Sequence, residues 1–179
     1  LYNLSGYQSV SMLKMAEEYA DIYLPDYKYA DSTLAKRVSG CKDYPHVALD
    51  SISEMVRQKG FLDSLAAGSG PAGKGVLVRH LILPGKIKNS LDALSSLFIE
   101  FGADLPVSLM SQYVPVLAQE DKDLNRLLTR DEFDRIYSHA LDLGFKNLFV
   151  QFPEEPGSEA EADTAFLPDF SRKEPFRGG

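Results

Sequence analysis

An α/β fold, a partial (half) β/α barrel with a parallel sheet of about four strands and helices on the outside, is predicted by three observations. Stretches with helical spacing of apolar residues alternate with short apolar runs of strand length along most of the chain. Every connection between those runs crosses over, which sets neighbouring strands parallel in right-handed units. The count then stops at about four strands, half of what a closed barrel of this type needs. Residues 1–152 are assigned to this half barrel, and residues 153–179 to an acidic loop and an extended docking tail.

Composition sets the class. The chain has 179 residues, 44% hydrophobic and 25% charged, enough for one domain with a real core. A net charge of -7 and a pI near 5.0 exclude a nucleic-acid or anionic-membrane surface, because no basic stripe is available to meet phosphates. No segment is apolar for long enough to span a bilayer. The single Cys41 excludes an internal disulfide and, with no signal peptide or lipidation motif in view, a reducing cytoplasm is expected. The chain opens at Leu1 inside what reads as a strand end and turn, YNLSGY, so the front of a larger domain is expected to precede it.

The elements follow in order. Ser9–Glu18 puts Val10, Leu13 and Ala16 on one helical stripe. Asp21–Asp31, DIYLPDYKYAD, is read as a buried parallel strand on which Ile22, Leu24, Asp26 and Lys28 share a face, apolar at entry and charged at exit. A short helix is expected over Ser32–Val38 and a longer one over Tyr44–Lys59, stopped by Gly60. Residues 61–75 form a glycine-rich connection. Gly68 to Lys74 has the spacing of a phosphate-binding loop, but Gly75 stands where Ser or Thr belongs, and the loop follows a helix instead of a strand. It is read as a connector.

Val76–Leu83, VLVRHLIL, is predicted to be a strand covered on both faces and ended by Pro84 and Gly85. Arg79 and His80 then point to opposite faces. Arg79 needs an anion, from the fold or from a ligand, and a ligand is preferred; His80 looks toward the helices as a satisfied structural histidine. Asn89 or Ser90 is expected to cap a helix to Phe101, and Pro106–Tyr113 is a strand with Gln112 and Tyr113 at its exit. Thr129 and Glu132 form a capping box opening a helix to Leu143, with His139 on its surface, and Asn147–Phe152 is the last strand. Residues 153–163 carry five carboxylates and no base, and Phe166, Phe170 and Phe176 are spaced like anchors of an extended segment.

The charged exit of the Asp21–Asp31 strand is the candidate site. In β/α barrels ligand-binding groups sit after the strands, and a carboxylate beside an ammonium on one inner face suits a zwitterion. A self-satisfying ion pair is the alternative.

Several stretches also carry a resemblance. YNLSGY, DIYLPDYKYAD, RHLILPG, LMSQYVP and LNRLLTRDEF, in that order over nearly the whole chain, resemble the carboxyl-terminal half of radical S-adenosylmethionine proteins. The likeness is nearest to the branch related to the activating enzyme of pyruvate formate-lyase. PDYKY and RHLILPG are its most specific pieces, and the closing PDF and PF are similar too. The resemblance implies a β/α barrel with a four-iron four-sulfur cluster on three cysteines, spaced Cys, three residues, Cys, two residues, Cys. That cluster reduces bound S-adenosylmethionine to a 5′-deoxyadenosyl radical, which takes a hydrogen atom from a target. In the activating enzymes the target is a glycine of a partner enzyme.

By that resemblance Asp26 and Lys28 line the cofactor pocket, Arg79 lies near the methionyl carboxylate, and Asn3 and Ser5 sit where ribose or metal contacts fall. Tyr113 occupies a position where the activating enzymes tend to have histidine, with Gln112 a weaker neighbour. The cluster motif is absent, since Cys41 stands alone, so this chain by itself is expected to bind no cofactor and to be inactive. The implied partner is a glycyl radical enzyme or another protein substrate. Two other readings stay open: a Schiff-base lyase using Lys28, and a non-catalytic chain whose open sheet edges make it self-associate.

Overall fold

A computed structural model describes residues 1–63 and 71–153. Strands β1 (Tyr2–Leu4), β2 (Ile22–Pro25), β3 (Gly75–Val76), β4 (Val78–Leu81), β5 (Val107–Met110) and β6 (Leu148–Gln151) alternate with helices. These are α1 (Val10–Ala16), α2 (Ser32–Ser39), α3 (Tyr44–Lys59), α4 (Ile87–Phe101) and α5 (Arg130–Leu143), and a 3-10 turn spans Lys122–Asn125. The strands form two parallel three-stranded sheets, β1-β2-β3 and β4-β5-β6. Among the described residues six short strands stand where about four were expected, because YNL is a strand in its own right and the run from Val76 is split at Leu77.

The split has a local cause. Along this edge the amide of Gly75 donates to the Asp21 carbonyl, Leu77 to Tyr23, and Tyr27 to Arg79, at 2.9, 3.1 and 2.8 Å. In that alternation residue 25 is the one whose amide would reach the Leu77 carbonyl. Pro25 has no amide hydrogen, so the ladder lapses there and resumes at the Asp26–Arg79 bridge, which joins the two sheets.

Burial alternates along the strands. Tyr23, Tyr27, Val76, Val78, His80, Val107 and Leu109 are buried, whereas Ile22, Leu24, Arg79, Leu81, Ser108 and Met110 are only half-buried. One sheet face therefore packs on helices through Leu13, Ala48, Ile52, Met55, Leu94, Leu97 and Ile136. The expectation that Val76–Leu83 is covered on both faces fails among the described residues: the face carrying Arg79 and Leu81 stays partly open. At the outer edge, Leu1 and Tyr2 are exposed, as are Met12 and Met15 on α1 and Tyr19 just after it.

Caps set most helix bounds. Ser9, Asp31 and Thr129 accept backbone amides at the starts of α1, α2 and α5. The expected cap at Asn89 or Ser90 is a correction: α4 begins at Ile87, and both residues lie inside it with side chains turned away to other elements. Glu132 does more than close its capping box. It takes a two-pronged ion pair from Arg126 (2.7 and 2.8 Å) and the Gly85 amide at 2.7 Å, tying the loops after β4 and β5 to α5. Lys86 adds ion pairs to Asp121 and Asp123.

His80 faces the helices as expected. Its Nδ1 lies 2.6 Å from the Tyr27 carbonyl, so Nδ1 carries the proton and donates, and Nε2 accepts from the Ser90 hydroxyl at 2.9 Å. Full burial pushes its pKa down, keeping the ring neutral. A depressed folded pKa contributes stability above the unfolded value of about 6.5, which is lost as pH falls below it. Thermal unfolding should show that loss between neutral and mildly acid pH, and a His80→Asn variant should lack the slope.

Among the described residues no helix is long and apolar enough to cross a membrane. The tail aromatics Phe166, Phe170 and Phe176, the acidic residues from Glu154 onward, and Gly68 lie outside the described residues. The near end of the glycine-rich connection shows its amides already used, since Gly73 and Lys74 donate to the Asp63 carboxylate at 3.0 and 3.3 Å.

Candidate functional site

The half-open sheet face gathers charge where β2 ends, beside residues inside β1 and β4. The Asp26–Arg79 bridge sets these two residues side by side across β2 and β4, and Asn3 pairs with Leu24 on the same face. Arg79 Nη2 reaches Asp26 Oδ1 at 2.6 Å and also donates to Asn3 Oδ1. Lys28 Nζ closes the group at 3.3 Å from Asp26 Oδ2.

The side chains of Asp26, Arg79 and Lys28 are 12, 21 and 33% exposed, so the group is sheltered yet reachable. It sums to one net positive charge, with two cations against one carboxylate. It is also incompletely matched. Arg79 Nε and Asp26 Oδ1 are buried and find no hydrogen-bond partner among the described residues, although the ions themselves are close. In this structure the anion beside Arg79 is Asp26 of the fold.

Ser5 lies at the same edge, where its hydroxyl accepts from the Gln8 side chain at 3.3 Å. Gln112 and Tyr113 stand apart. No hydrogen bond or ion pair among the described residues links them to Asp26. Gln112 is exposed, and Tyr113 donates to the Leu124 carbonyl at 2.8 Å. Tyr113 lines a separate apolar groove of about 280 Å³ with Val38, Leu83, Val116, Leu117 and Leu124. A second groove, about 450 Å³, lies between α4 and α5 beside His139, which bonds Ser95 at 3.0 Å.

Two residues that hold the site escaped sequence reasoning. The Tyr44 hydroxyl lies 2.9 Å from both the Ser5 and Asp26 carbonyls, donating to one at a time, and accepts the Lys28 amide at 3.0 Å. Burial and the nearby Asp26 carboxylate raise its pKa, so it stays a phenol. From α4, Asn89 donates to the Lys28 carbonyl at 2.9 Å and accepts the Ala30 and Asp31 amides at 3.0 and 3.2 Å. The backbone of Lys28 is therefore pinned at both ends. Gly6 allows the approach: at φ +81° it lies so near Asp26 that a Cβ would sit 2.0 Å from the Asp26 carbonyl oxygen.

Chemically, a fork of guanidinium donors, an ammonium and one carboxylate on a single face can take an anionic group and a cationic group together. No family model matches the chain, and no solved structure matches it. It is 26% identical over 151 residues to the uncharacterized protein MJ0674 of Methanocaldococcus jannaschii, a match covering 82% of this chain and 38% of that relative. The chain thus spans well under half the length of the curated relative it resembles.

Proposed function

We propose that this chain is the carboxyl-terminal half of a radical S-adenosylmethionine barrel of the activating-enzyme kind, and that its charged sheet edge holds the methionyl part of S-adenosylmethionine. The observation that carries this reading is the convergence of Asp26 and Lys28, just past the carboxyl end of β2, with Arg79 inside β4 and Asn3 inside β1, on the half-open sheet face. Crossover connections and a one-sided helical cover support the half barrel. A match to only 38% of a longer relative accords with the chain being one part of a larger protein.

S-adenosylmethionine suits these residues. Its carboxylate meets Arg79 or Lys28, and its ammonium meets Asp26. When bound, it supplies the sulfonium whose reductive cleavage makes the adenosyl radical. The iron-sulfur cluster does not fit this chain: Cys41, between α2 and α3, is its single cysteine, and its thiol donates to the Ser39 carbonyl at 3.3 Å. Cluster ligands belong to other residues of the parent protein, and this chain alone is inactive. A cytoplasmic protein substrate, such as a glycyl radical enzyme, is the proposed partner.

The Schiff-base reading gains no comparable support. Lys28 Nζ is ion-paired to the Asp26 carboxylate at 3.3 Å and does not sit in an apolar site. Calorimetric titration of this chain with S-adenosylmethionine tests the proposal, and binding would reverse the expectation that the chain alone holds no cofactor. Arg79→Met should weaken binding by about tenfold or more, the value of a lost charge-assisted contact. Unchanged affinity would remove Arg79 from the site.

A further inference from the structure

We infer that the apolar groove beside Tyr113 is where this chain's own carboxyl-terminal segment docks, with Phe166 and Phe170 as the side chains that enter it. The inference stands apart from the ligand proposed for the charged strand ends. The groove is lined by Val38 and Leu83 and by the loop that joins β5 to α5, through Tyr113, Val116, Leu117 and Leu124. Leu83 and Leu124 are buried, whereas Val116 and Leu117 are 78 and 74% exposed. Apolar side chains left open beside a buried apolar base mark a surface that something covers. At about 280 Å³ the groove falls below the range of about 300–1,000 Å³ for small-molecule sites, and it has room for ring side chains of a peptide.

Two contacts put the start of that segment at the root of the loop. Gln151, the last residue of β6, is in register with Met110, the last residue of β5, from which the loop departs. The next residue, Phe152, has its ring 5.4 Å from the Phe133 ring, with the Arg130 guanidinium 5.4 Å over it, so it abuts the first turn of α5, where the loop ends. The chain thus leaves the described residues at Pro153, beside both ends of the loop. Residues 154–165 can span up to about 40 Å, which brings AFLPDF, residues 165–170, within reach of the groove. A tether of that length holds the segment at about millimolar effective concentration, so a weak intrinsic affinity suffices. A second exposed apolar group, Leu1 and Tyr2 with Met12 and Met15, lies at β1 and α1, at the opposite end of the row of strands from β6.

NMR on the full chain, with methyl-labelled Val, Leu and Met and ring-protonated Phe, tests this. Nuclear Overhauser cross-peaks are expected from the Phe166 and Phe170 rings to the Val116 and Leu117 methyls. Phe166→Ala and Phe170→Ala should each lose the cross-peaks of the ring removed. Should either variant fail to fold, the cross-peaks of the unmodified chain decide. Mixing labelled with unlabelled chains separates self-docking from docking by a second copy: cross-peaks within one chain support the inference, and cross-peaks between chains overturn it. Contacts of the two rings with the Met12 and Met15 methyls instead, or with no methyl at all, would overturn it as well. None of these outcomes bears on the charged site, whose ligand is tested by its own titration.

Discussion

Replacing Glu132 with alanine should lower the unfolding free energy by about 2–3 kcal/mol, the cost of removing a buried acceptor from hydrogen bonds to two backbone amides and a part-exposed arginine. Glu132 is 9% exposed and gathers Arg126, the Gly85 amide and the Thr129 amide. Truncation leaves the two backbone amides without this acceptor and frees Arg126 to solvent. Glu132→Gln should cost less, because its oxygen can still receive Gly85 or Thr129. The same contacts, Arg126 foremost, pull the Glu132 pKa down from 4.5 to about 2. A lowered carboxyl pKa contributes stability above the unfolded value, and that stability is lost as pH falls from about 4.5 toward 2. Denaturant melts of wild type and Glu132→Gln at pH 7 and pH 3 should therefore differ by much less at the lower pH. An equal gap at both would show that the charge is not what matters.

Gly6→Ala should be the most damaging substitution for the site. At φ +81° an alanine carries about 1–2 kcal/mol of left-handed strain. Its Cβ would also lie 2.0 Å from the Asp26 carbonyl oxygen and 3.1 Å from the Tyr44 hydroxyl. The first obstacle is backbone, which cannot swing aside as a side-chain tip can. Either the turn after β1 lifts away, taking Ser5 off Tyr44, or the end of β2 moves, taking Asp26 off Arg79. The expected result is a loss of stability exceeding the strain alone and a loss of ligand binding at the strand ends. A folded variant that binds S-adenosylmethionine like wild type would show that the Gly6–Asp26 approach does not set the site's geometry.

The charged exit of β2 was legible in part: strand periodicity puts Asp26 on the half-open face, but the strand expected over Asp21–Asp31 ends at Pro25 with Lys28 beyond it, and the parity of Arg79 and His80 separated the half-open face from the helix face. That Asp26 is the partner of Arg79 was not legible. It depends on register between strands distant in sequence, and neither strand's pattern carries that information. Pro25 was visible in the sequence, but its effect on Leu77 follows from the same register. Asn89 and Ser90 misled because their residue types are those of helix caps, whereas α4 starts at Ile87 and frees both side chains for tertiary bonds. Tyr44 reads as one more apolar position at the start of a helix. Only the approach of the β1 and β2 ends makes its hydroxyl a clamp.

The most direct measurement is an experimentally determined structure of this chain bound to S-adenosylmethionine. The methionyl carboxylate is expected at Arg79 or Lys28, with the ammonium at Asp26. A bound cofactor lying in the groove between α4 and α5, with Asp26 still seated on Arg79, would contradict the account.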